Sequence, residues 1–98
     1  LGQVVSPDDA ALAARGLRTM GVRLDAQTRS ALTIAQWLES QSQVARVLCP
    51  LLPSDPGHAL WRRDFTGGCG LFAFILASDD PQASARVADA LDLFGIGY

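Results

Sequence analysis

Several groups of side chains in this sequence have types and spacings that can do chemistry. Asp55, His58 and Asp64 bring two carboxylates close to the only histidine of the chain, a set from which general acid–base catalysis can be built. No nucleophile stands beside them. His58 follows Gly57 near the start of a short helix, so a capping or supporting role is the plainer reading. Gly67-Gly68-Cys69-Gly70 resembles the flexible backbone that cradles phosphates. It lacks the GxGxxG spacing and the GK[ST] ending, and it precedes an apolar run instead of opening a helix. No helix dipole would therefore face an anion, and the segment reads as a turn that lets backbone approach closely. Arg15 and Arg18 lie three apart with Thr19 beside them, a spacing that puts both guanidiniums on one helical face. They can hold an anion or a carboxylate, or serve as an interface or surface ion-pair group. Cys49 and Cys69 permit one disulfide, yet each sits in an apolar setting and reads as a buried free thiol of a cytosolic protein. One histidine and two scattered cysteines do not make a metal quartet. Trp37 and Trp61 read as core groups or as groups facing a missing partner. No basic strip surrounds them, as stacking on nucleic acid would need.

The elements that must position these groups are marked by their caps. Ser6-Pro7-Asp8-Asp9 is a helix start: a capping hydroxyl, a proline at the first position and two acids at the positive end of the dipole. The stretch 7–40 is rich in Ala, Leu, Gln and Arg and predicts one or two helices, broken or bent near Gly21. Leu24, Ala31, Ala35 and Leu38, with Leu32 roughly beside them, form its apolar face. Val44 to Cys49 predicts a strand ended by Pro50, with Arg46 on the wetter face. Three prolines make 50–57 a loop. Asp55-Pro56 then caps a two-turn helix over His58 to Phe65. Leu71 to Ala77 is seven apolar residues in a row and predicts a buried central strand. Ser78-Asp79-Asp80-Pro81 is a third cap. The helix after it should carry Ala83, Val87, Leu91 and Phe94 on one stripe and end at Gly95. Ile96-Gly97-Tyr98 reads as the start of another strand. The alternation of helix and strand predicts an α/β or α+β layer, with helices covering one face of a small sheet. The strand order stays open, and a truncated sheet can rearrange or swap between chains.

Composition narrows the function. The 98 residues make at most one domain; 49 % are hydrophobic and 18 % charged, and the net charge is −2. A charged fraction below the usual quarter leaves apolar surface that belongs against something else. All eight basic residues are arginines, and the chain contains no lysine. It cannot itself form a Schiff base through a lysine side chain. The mild acidity and lack of a basic run speak against nucleic acid. No apolar run approaches the ~20 residues of a membrane span, and no signal peptide is visible. The chain starts at Leu1, and its only methionine is Met20. It is expected to be a piece of something longer, truncated at both ends.

Several blocks, in order, resemble one family. Arg15-Gly16-Leu17-Arg18-Thr19-Met20-Gly21-Val22-Arg23-Leu24 is similar to a signature of cystathionine β-lyases, with Met20 where Leu is common. Ala35-Gln36-Trp37-Leu38-Glu39 and Gln43-Val44-Ala45-Arg46-Val47 follow in register. So do Pro56-Gly57-His58 with Trp61, Arg63-Asp64-Phe65-Thr66-Gly67, Gly70-Leu71-Phe72, and Leu93-Phe94 with Tyr98. The sequence thus resembles the PLP-dependent Cys/Met-metabolism (transsulfuration) enzymes. The resemblance implies most of the small C-terminal domain of a fold-type I enzyme, with 1–42 as an inter-domain helical segment and 43–98 as the remainder of one structural unit. It implies a mostly antiparallel sheet. It also implies a parent enzyme that cleaves the C–S bond of cystathionine to give homocysteine, pyruvate and ammonia in methionine biosynthesis, with pyridoxal phosphate as electron sink.

In that family the cofactor lysine, the ring-binding aspartate and the phosphate-binding residues precede the region matched by Leu1. The substrate-carboxylate arginine and a serine follow the region matched by Tyr98. No catalytic, cofactor-binding or metal-binding residue is therefore assigned to this chain, and no cofactor is expected to be bound covalently to it. It is expected to be inactive alone, to wall one side of a substrate cleft, and to pack against a large cofactor domain of the same protein. The parent is expected to be a cytoplasmic homotetramer, and the isolated chain to self-associate. The alternatives are another transsulfuration reaction (cystathionine γ-synthase, cystathionine γ-lyase or methionine γ-lyase), a standalone non-enzymatic interaction domain, and catalysis by this chain with free pyridoxal phosphate.

Overall fold

The computed structural model describes residue 2 and residues 4–95. Ser6 caps α1 (Pro7–Leu17) as its sequence requires: its Oγ accepts from the Asp9 amide at 3.1 Å, and Pro7 opens the helix. The break comes at Arg18-Thr19, slightly before Gly21, and α2 runs Met20–Glu39. Thr19 makes no side-chain cap; Arg23 reaches back from the first turn of α2 to the Gly16 carbonyl at 3.0 Å. That bond satisfies one of the carbonyls a helix end leaves open.

Residues four and three apart on one face of α2, Ala31, Ala35 and Leu38, are buried. This is the face the apolar spacing marks. They meet Val47 of β1 (Val44–Leu48), then Cys49 and Leu52 of the following loop, with Leu32, Val44, Leu51 and Phe72 packed around them. Two alanines let strand and helix backbones come close. β1 pairs antiparallel with β2 (Ala73–Leu76), with an irregularity between Val44 and Arg46, and these two strands form the sheet of the described residues. α3 (His58–Asp64) and α4 (Ala83–Asp89) are short.

Five expectations need correction. Leu71 to Ala77 is not a buried central strand: only Ala73–Leu76 is strand, Leu71 is 85 % exposed, and Phe74 and Ile75 are open to solvent as well. A run of apolar side chains needs cover on both faces to be central, and two strands with one adjoining helix do not supply it. α3 is capped by the Gly57 backbone, not by Asp55. α4 starts two residues after Pro81, with Gln82 as its cap. It ends at Ala90, so Leu91 and Phe94 fall outside it and Gly95 is no helix terminator. Cys69 is exposed, whereas Cys49 is buried. The strand expected at Ile96-Gly97-Tyr98 lies outside the described residues.

Candidate functional site

The acid–base group is taken apart by its hydrogen bonds. The Asp55 carboxylate accepts from the Cys49 amide at 2.9 Å and from the Gly57 amide at 2.7 Å. The second is an Asx turn, two residues on from its own backbone. Asp55 thus ties the end of β1 to the entry of α3 and satisfies the amide of a buried residue. His58 places Nδ1 at 2.9 Å from the Pro50 carbonyl, and its ring lies 5.6 Å from that of Trp61. Asp64 pairs with Arg63 through two bonds of 2.7 and 2.9 Å, and that guanidinium holds its carboxyl below the usual carboxylate range. Each member is occupied with a different structural partner, so these three residues make no relay. The Asx turn was legible as Asp-Pro-Gly; the bond to Cys49 was not, because it joins the loop to the strand six residues earlier.

The glycine segment is a contact surface. None of Gly67, Gly68 and Gly70 takes the left-handed backbone region. Gly68 is pressed so closely on α2 and the loop that a Cβ there would lie 2.5 Å from Leu51 Cδ2 and 3.2 Å from Thr28 Cγ2. Trp61 Nε1 donates to the Gly67 carbonyl at 3.1 Å and pins the segment to α3. The expectation of close backbone approach is met, and its reason is the side of α2. Beside it lies an open groove of about 570 Å³, lined by Leu24, Leu51, Leu60, Trp61, Phe65 and Leu71.

Arg15 and Arg18 are exposed, and neither is ion-paired among the described residues. Trp37 stands 59 % exposed on α2, while Trp61 is half-buried. No group of three or more His, Cys, Asp or Glu that could hold a metal is found among the described residues. No helix there is long and apolar enough to cross a membrane. Pyridoxal phosphate, which the resemblance implies, calls for a lysine amine and a phosphate cradle. The chain has no lysine, and its glycine segment leads into β2, not into a helix. The residues present do not fit the cofactor.

Comparison with known proteins places this geometry. The model of a family described as Cys/Met metabolism PLP-dependent enzyme matches residues 1–98. A putative cystathionine β-lyase of Rhizobium johnstonii is 55 % identical over 102 residues, covering 100 % of this chain and 26 % of the relative. Cystathionine β-lyase MetC of Escherichia coli is 46 % identical over 99 residues, covering 100 % of this chain and 25 % of the relative. The crystal structure of cystathionine γ-synthase from Xanthomonas oryzae pv. oryzae superposes with a TM-score of 0.89 at 35 % identity, covering 99 % of this chain and 25 % of that one. The chain spans about a quarter of the length of these relatives.

Proposed function

The chain belongs to the Cys/Met metabolism PLP-dependent enzymes, and from that premise we propose that it is the scaffold of the small C-terminal domain of a carbon–sulfur lyase acting on cystathionine. The observation that carries the reading is identity of 55 % and 46 % to two β-lyases along the whole chain. In this reading the parent enzyme cleaves cystathionine to homocysteine, pyruvate and ammonia in the cytoplasm. The pyridoxal phosphate it binds supplies the electron sink for the elimination. The lysine that moves the proton belongs to the large domain, since this chain has none.

The work of this chain is positional. α1 and α2 lead into the domain as the inter-domain segment. α2, β1 and the Asp55 loop form the fixed body. The Trp61–Gly67 bond and the Gly68 contact hold the approach to β2. Its uncovered apolar side chains pack against the large cofactor domain and, in a homotetramer, against neighbouring subunits. Such packing excludes water from the cleft that this domain walls on one side.

A second reaction is favoured by one observation, the 0.89 superposition on a γ-synthase. Product analysis separates the two. The full-length gene product, loaded with pyridoxal phosphate and given cystathionine, should release pyruvate and homocysteine. Release of 2-oxobutyrate and cysteine would move the protein to γ-chemistry, and turnover of neither would remove cystathionine as substrate. The 98-residue chain with free pyridoxal phosphate should release no keto acid.

A further inference from the structure

We draw no further inference here: the strongest candidate, the open apolar groove beside α2 and α3 lined by Leu24, Leu51, Leu60, Trp61, Phe65 and Leu71, is an unpartnered face, and nothing in the structure shows what covers it.

Discussion

Cys49 and Cys69 share a chemistry and differ in setting. Cys49 is 1 % exposed, beneath α2 and the Asp55 loop, while Cys69 lies open on the glycine segment. A thiol must be reached to react. In the native 98-residue chain one thiol should react with a maleimide within minutes and the second only after denaturant is added. Peptide mapping should put the first label on Cys69; equal labelling of both would mean that the core around Cys49 opens freely. The glycines give a second contrast. Gly68→Ala sets a methyl group against Leu51 and Thr28, whereas Gly67→Ala meets nothing within 4 Å. Overpacking of that kind costs about 1–3 kcal/mol, and a substitution into open space stays within about 0.5 kcal/mol. Urea unfolding should show a lowered midpoint for Gly68→Ala and almost none of that loss for Gly67→Ala. Equal midpoints would show that Leu51 swings clear at no cost.

At the scale of the element, α4 depends on its first turn. Asp80 Oδ1 accepts from the Gln82 amide at 2.8 Å, Ser78 Oγ accepts from the Asp80 amide at 3.2 Å, and Arg86 pairs with the Asp80 carboxylate from within the helix. The Gln82 amide first, and the Arg86 guanidinium second, hold the Asp80 carboxyl below the usual carboxylate range. A carboxyl with a depressed folded pKa contributes stability above its unfolded value, near about 4. That contribution is lost as pH falls through the lower folded value. The Gln82 amide resonance should therefore move upon acidification below about pH 4, and Asp80→Ala should abolish that movement and loosen α4 at neutral pH. An unchanged acid profile in Asp80→Ala would assign the transition to another group. The caps also separate what sequence can show. Ser6 worked as read because capping is local, decided within three residues. The Asp55 and Asp80 caps were misplaced because each carboxylate had a competing partner: a strand amide for Asp55, and Gln82 and Arg86 for Asp80.

The whole molecule is more open than its length requires. Its accessible surface is 8169 Å², against about 5,400 Å² for a compact protein of this mass. Its radius of gyration is 17.4 Å, against about 13 Å for a compact domain of ~100 residues. The surplus surface, about 2,800 Å², has the size of an obligate interface. Leu71, Leu93 and Phe94 are largely exposed, and α2 shows Val22, Ile34 and Trp37 to solvent. Patches of this kind mark contact surfaces. The isolated chain should bind a hydrophobic dye such as ANS strongly and self-associate with rising concentration in light scattering. The full-length protein should do neither. A monodisperse chain with a radius of gyration near 13 Å and no dye binding would mean that these side chains fold back on the chain itself.

By itself the sequence determined whatever depends on near neighbours and on composition. That includes the capped start of α1, the buried stripe Ala31-Ala35-Leu38, the limits of β1 and α3, the family resemblance, and the lack of any lysine to hold the cofactor. These follow from short-range sterics, helical periodicity and side-chain chemistry, all written in local order. Only the tertiary structure decided that Leu71 to Ala77 lies uncovered, that Cys69 faces water, and that Asp55, His58 and Asp64 go to separate partners. Burial and pairing are set by what else packs alongside. An apolar run reads the same whether or not the surface that would cover it belongs to the chain.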